Sequence, residues 1–281
     1  MNESSWSLII NSKYKWWRFD FTSLFKSKDL IWMFVWRDFV SLYKQTILGP
    51  IWFIIQPIIS TIVFTVIFGK IAKLPTDGVP NVIFYLSGII GWNYFADCLT
   101  KTSTTFTANA NIFGKVYFPR LVIPLSIVLS NMIKFFVQFI LFLGFFFYFF
   151  LVGNEIHPNI YILSFPFLIL LMGGLGLGFG IIISSFTTKY RDLIQLIGFG
   201  VQLLMYFTPV VYPISFISEK YKWIIWANPM TPIIEAFKFS FLGIGNFSLI
   251  HLGYSTVFML GLLTFGILIF NRIEKSFMDT V

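Results

Sequence analysis

The sequence predicts an all-α membrane domain that crosses a bilayer six times, and three observations carry that expectation. Of the 281 residues, 57 % are hydrophobic and only 11 % charged, against roughly a quarter charged in a soluble domain. The apolar residues gather in runs long enough to cross, since a helix needs about 20 mostly apolar residues to pass a hydrocarbon core of roughly 30 Å. The basic residues flank those runs and form no stripe of their own, so the formal charge of +8 reads as a topology signal facing anionic headgroups. It does not read as a nucleic-acid surface.

The chain reads as one domain over 1–281. Residues 1–12 lack the basic-then-apolar pattern and cleavage site of a signal peptide, so insertion is expected to begin at the first membrane helix. Segment 30–45 is too charged to span. As a helix it sets Trp32, Val35, Trp36, Phe39 and Tyr43 on one side and Arg37, Ser41, Lys44 and Gln45 on the other. That pattern suits a helix lying in the cytoplasmic interface, either as a plain anchor or as a docking surface.

The expected spans are 51–68, 82–98, 121–152, 161–186, 193–212 and 252–270. Lys13, Lys15, Arg18, Lys26, Lys28, Arg37 and Lys44 precede the first, Lys101, Lys115 and Arg120 follow the second, Lys189 and Arg191 follow the fourth, and Arg272 and Lys275 follow the last. The positive-inside rule therefore puts both termini in the cytoplasm. Lys70, Lys73, Lys220, Lys222 and Lys238 run against the pattern.

Two connections are longer than a link requires. Segment 101–120 is polar and ends at Pro119, with Pro124 just beyond, so a short, partly buried contact element is expected there. The connection 213–250 holds two apolar pieces, 214–226 and 230–242, broken at Asn228-Pro229 and Pro232. Each is too short to cross, which favours re-entrant or interfacial half-helices on the outer side over a seventh span.

Chemistry of its own is not expected. Cys98 is the sole cysteine, and His157 and His251 stand apart from any carboxylate set, so no metal site is expected. No P-loop, no Ser-His-Asp set and no H-E-x-x-H occurs. Gly174 with Gly178, and Gly176 with Gly180, lie inside an apolar run and read as close-packing pairs. Asp97 either marks the cytoplasmic end of the second span or is a functional interior charge, and Lys134 is expected to snorkel.

Residues 37–57, RDFVSLYKQTILGPIWFIIQP, carry Arg37, Asp38, Tyr43, Lys44, Gln45, Thr46, Leu48, Gly49, Trp52, Gln56 and Pro57. This stretch resembles the opening of permeases of type-2 ABC exporters that serve O-antigen, capsular polysaccharide and teichoic acid export. Similar stretches lie at 64–70, 115–124, 228–230 and 274–281, while Val40 and Met278 depart from the family's usual residues.

The resemblance implies a homodimeric channel in the bacterial cytoplasmic (inner) membrane, with two nucleotide-binding subunits beneath it that bind ATP and Mg, and no cofactor in this chain. It implies an interface helix at 30–45, a coupling segment at 101–115 and outer gate helices around Asn228 and Pro229. The expected substrate is a lipid-linked polysaccharide, as in lipopolysaccharide biosynthesis. Contact with the partner is assigned to Arg37, Lys44, Gln45, Asn109, Asn111 and Lys115. Because sugar rings present apolar C–H faces, Trp52, Tyr85, Trp92, Tyr94 and Phe95 are candidates for the polymer path, or else sit in lipid-facing belts. The alternatives are a small-molecule or drug exporter, and a multi-pass glycosyltransferase or polymerase, which would need acidic or His residues gathered at one membrane face.

Overall fold

The computed structural model describes residues 21–44, 47–113, 115, 118–190 and 192–280. Gln45 of the expected contact face lies outside the described residues. The chain runs α1 (Phe21–Lys26), α2 (Lys28–Tyr43), α3 (Trp52–Phe64), α4 (Asn81–Ser103), α5 (Thr105–Ala108), α6 (Ala110–Phe113), α7 (Val122–Leu151), α8 (Phe165–Thr187), α9 (Leu193–Tyr206), α10 (Glu219–Ala227), α11 (Thr231–Leu242) and α12 (Leu249–Thr280). A 3-10 turn, Gly49–Ile51, leads into α3, and a π-helical segment, Thr65–Ile71, continues it.

Among the described residues, five helical stretches are long and apolar enough to cross a membrane: Gly49–Ile71, Asn81–Ser103, Val122–Leu151, Ile160–Thr187 and Leu249–Ile273. The expected fifth run, 193–212, gives only the 14 residues of α9, about 21 Å of helix. Pro209 and Pro213 account for the shortfall, because each lacks an amide donor and turns the residue before it away from helical geometry.

The middle of the bundle is the α4–α8 pair, and the glycines of α8 set its spacing. A Cβ on Gly176 would lie 2.6 Å from the Cys98 Cβ, and one on Gly180 would lie 2.5 Å from the Thr102 Cβ. Gly174 and Gly178 turn the other way, against Met259 and Leu262 of α12. The two close-packing pairs therefore serve two different neighbours, and α8 is gripped from both sides. The first and last spans are only 17 % and 22 % buried, which leaves their outer faces for lipid or another chain.

The ends of the helices sort into two poles. At one, Phe34 of α2, Phe106 of α5, Phe113 of α6, Ile123 of α7, Ile181 of α8 and Phe270 of α12 form a separate apolar cluster. At the other, α11 is seated on an aromatic stack, with Phe139 4.3 Å from Phe165 and Phe142 edge-on to Phe241 at 5.5 Å. The amides of His157 and Asn159 close that pole by donating to the Leu242 and Ser240 carbonyls.

Candidate functional site

At the first pole, α2 turns Phe34 and Val35 into the protein and leaves Trp32 and Trp36 exposed, at 64 % and 60 %. The Ser130 hydroxyl of α7 donates to the Val35 carbonyl at 3.4 Å and fastens the helix. Arg37 and Lys44 are exposed. The Arg37 guanidinium is 2.7 Å from the Asp38 carboxylate and 4.6 Å from the Phe34 ring centre, so part of its charge is already answered within α2.

Helices α5 and α6 are single turns held by aromatic contacts. Phe106 is fully buried and stacks on Phe270 at 4.5 Å. Phe113 stacks on Phe118 at 5.8 Å and has the Arg120 guanidinium 5.3 Å from its ring centre. The Thr187 hydroxyl donates to the Ser103 carbonyl at 2.8 Å, joining the ends of α8 and α4. Force applied to this corner therefore reaches α4, α8 and α12 together. Of the residues assigned to partner contact, Arg37, Lys44, Asn111 and Lys115 are exposed. Asn109 is buried, with its amide donating to the Thr105 carbonyl, so it holds the turn.

One level deeper, α4 and α7 share a polar step. Lys134 pairs with Asp97 at 2.7 Å, and the Lys101 ammonium donates to the Asn131 side-chain oxygen at 2.8 Å. Asp97 does not end its helix, since α4 runs on to Ser103. Lys134 does not snorkel freely either, because a carboxylate across the helix interface fixes it. Beside this step, α3 and α7 enclose a groove of about 380 Å³ lined by Trp52, Phe53, Gln56, Ile59, Ser60 and Lys134.

The five rings named as path candidates separate here. Tyr85, Trp92, Tyr94 and Phe95 are buried in the protomer. Trp92 packs on Phe95, Tyr94 on Phe135 and Tyr85 on Phe64. Trp52 alone of the five is exposed, at 47 %.

At the opposite pole, Asn228 organises the break between α10 and α11. Its amide donates to the Thr208 hydroxyl at 2.8 Å, and its oxygen accepts the Met230 amide at 3.0 Å. Ser255 of α12 donates to the Pro229 carbonyl and Tyr254 to the Ala227 carbonyl, both at 2.8 Å. Within α11, Lys238 is fully buried; its ammonium donates to the Pro209 carbonyl and lies 3.6 Å from the Phe84 ring centre. Glu235, also buried, accepts from the Asn246 amide at 2.9 Å. Burial pushes the Lys238 ammonium down to about 8 and the Glu235 carboxyl up from its ordinary value, and the charge of each partly offsets the other's shift.

A family model described as ABC-2 type transporter matches residues 29–242. The chain belongs to the ABC-2 type transporter family. Two relatives, each named O-antigen export system permease protein RfbA and from Klebsiella pneumoniae, are 29 % identical over 254 residues, covering 89 % of this chain and 94 % of theirs. A protein of the same name from Myxococcus xanthus is 23 % identical over 220 residues, covering 76 % of this chain and 81 % of its own.

The ABC-2 match runs from α2 through α11 and so takes in the first pole, the polar step and the Asn228 break. Within this ABC-2 chain, sequence reasoning missed the buried Glu235 and the partnerships inside two interior charge groups. Glu235 and Lys238 stand three residues apart in an otherwise apolar piece, and that spacing was the available signal. Asp97 and Lys134 were noticed singly, but only the packing of α4 on α7 makes them partners.

Proposed function

We propose that the chain is the permease half of an exporter that moves a lipid-linked, O-antigen-type polysaccharide outward across the bacterial cytoplasmic membrane. Two copies form the passage, and a separate nucleotide-binding subunit hydrolyses ATP beneath each. The carrying observation is likeness along 94 % of the length of permeases named for O-antigen export. The sequence itself contains no P-loop, so the engine is assigned to a partner.

In this reading the basic first pole faces the cytoplasm, α2 lies in the interface, α9 with 207–213 completes a sixth crossing, and α10 with α11 forms the outer gate. The partner engages Arg37, Lys44, Asn111 and Lys115, and its closure bears on the α5–α6 corner. A partner shifts the channel only by binding one of its conformations more tightly than the other. The Phe106–Phe270 stack and the Thr187–Ser103 bond supply a rigid path for that bias.

The test is a tagged copy of the chain purified from its own cells. It is expected to bring down a nucleotide-binding subunit, and removal of its gene is expected to leave glycan inside the cell and none at the surface. Surface glycan unchanged by gene removal overturns the proposal.

A further inference from the structure

We infer that the α3–α7 groove is a subsite for one uncharged pyranose ring of the exported chain, held by Trp52, Gln56, Ser60 and Lys134. This deepens the exporter proposal and rests on it. The groove begins with Pro57. A proline inside a helix removes the amide that would bond four residues back, which frees the Phe53 carbonyl. The Gln138 amide of α7 donates to that carbonyl at 3.2 Å, fixing the separation of the two helices beside the groove.

On α3, Trp52, Gln56 and Ser60 follow one another at intervals of four, so they share one face over about 12 Å. The residues on that face are an exposed indole, an exposed amide and a hydroxyl. Across from them stands Lys134. An ammonium has three N–H donors, and Asp97 at 2.7 Å takes one direction, leaving two for a ligand.

The chemistry fits a sugar. The indole offers a flat apolar surface to ring C–H groups, and the amide, hydroxyl and ammonium offer hydrogen bonds to hydroxyls around its edge. At about 380 Å³ the groove lies near the lower end of the small-ligand range of about 300–1,000 Å³. The charge pattern favours the class: Asp97 at 2.7 Å offsets the charge of Lys134, and Lys134 is the one cation among the described lining residues, the others being apolar or neutral polar side chains of α3. The lining therefore offers hydroxyl partners and lacks the cluster of cations that a phosphate would call for. Asp97 acts as a positioning residue, because it holds the ammonium and does not line the groove.

The experiment uses cells in which the full permease assembles with a partner subunit unable to hydrolyse ATP, so that glycan stalls in the passage. A photo-reactive p-benzoylphenylalanine is placed at Ser60, and in a second strain at Ile140, on the 69 % exposed flank of α7. Ultraviolet light is expected to join glycan to the permease from position 60 and not from position 140. Links from position 60 to phospholipid alone, to the lipid diphosphate alone or to a second copy of the chain overturn the subsite. With an active partner, Gln56→Leu is expected to lower surface glycan about fivefold, the loss of one hydrogen bond. If gene removal abolishes surface glycan while position 60 stays unlinked and Gln56→Leu exports normally, the subsite alone falls. If gene removal leaves surface glycan intact, the exporter proposal falls with it.

Discussion

The Lys238 ammonium lies 3.6 Å from the centre of the Phe84 ring and donates to the Pro209 carbonyl, so a cation that the sequence sets in a connection between apolar runs is sealed between α4, α11 and the segment that follows α9. This accounts for one exception to the positive-inside pattern, because the rule counts charges in loops. Removing the cation while Glu235 stays buried leaves a carboxyl without its counter-charge. Lys238→Ala is therefore expected to cost about 3–5 kcal/mol, and Lys238→Met combined with Glu235→Gln substantially less. Thermal unfolding in detergent checks both.

The same lysine gives a pH signature. Its folded-state value, about 8, lies below the ordinary lysine value, so between the two the unfolded chain binds more protons than the folded one. Stability from this group therefore rises with pH across that window. Glu235 has the opposite sign: its raised value favours the folded state at low pH, and that contribution is lost as the carboxyl ionises. Melting temperature measured between pH 8 and 10 is expected to climb in the wild type relative to Lys238→Met, which lacks the titrating group.

The Asp97–Lys134 pair should separate folding from transport. Asp97→Asn leaves a half-buried ammonium short of its partner and is expected to cost about 1–3 kcal/mol. Adding Lys134→Met removes the orphaned charge and restores most of that loss, without restoring export. Permease abundance and surface glycan, measured on the same cells, distinguish the two effects.

Glycines of the bundle divide by what surrounds them. Gly176→Ala puts a methyl 2.6 Å from the Cys98 Cβ and 2.9 Å from the Phe95 carbonyl oxygen, and backbone cannot step aside as a side chain does. A loss of about 1–3 kcal/mol is expected. Gly198→Ala on α9 meets nothing within 4 Å and gains about 1 kcal/mol of helix propensity. Melting curves of the two variants are expected to fall on opposite sides of the wild type.

Coupling should fail without loss of the partner's ATPase when the α5 corner is cut from α12. Phe106→Ala and Phe270→Ala are each expected to lower the glycan exported per ATP hydrolysed, and the double variant to be no worse than either alone, as for two residues of one contact. Replacing exposed Asn111 and Lys115 together is expected to weaken partner binding instead, which co-purification measures. Trp92→Ala, deep in the core, is expected to lower abundance by losing about 3–5 kcal/mol of packing.

Much of the architecture was written in local pattern. Apolar run length located five spans to within a few residues, and the glycine pairs of α8 announced close contacts before their partners were known. What the sequence concealed was depth and neighbourhood. Tyr85, Trp92, Tyr94 and Phe95 have the composition of a sugar path, yet α4 is enclosed on most sides and turns them inward. Trp52 has the same chemistry but sits on a helix with an open flank. The partnership of Asp97 with Lys134, across 37 positions, arises from how two helices lie together and leaves no periodic trace in the chain. The apolar run 193–212 extends past the end of α9 because its composition persists through Pro209, where the backbone can no longer continue as a helix.

The brevity of α9 has a consequence for the segment that follows it. Leu196, Phe199 and Leu203 are exposed along the helix, whose 14 residues reach only about 21 Å, some 9 Å less than an undisturbed hydrocarbon core of roughly 30 Å. On the proposed sixth crossing, the irregular segment 207–213 has to make up that depth, where hydrocarbon offers no partner to a backbone carbonyl. The buried ammonium that answers the Pro209 carbonyl is then what lets a non-helical stretch sit at such a depth.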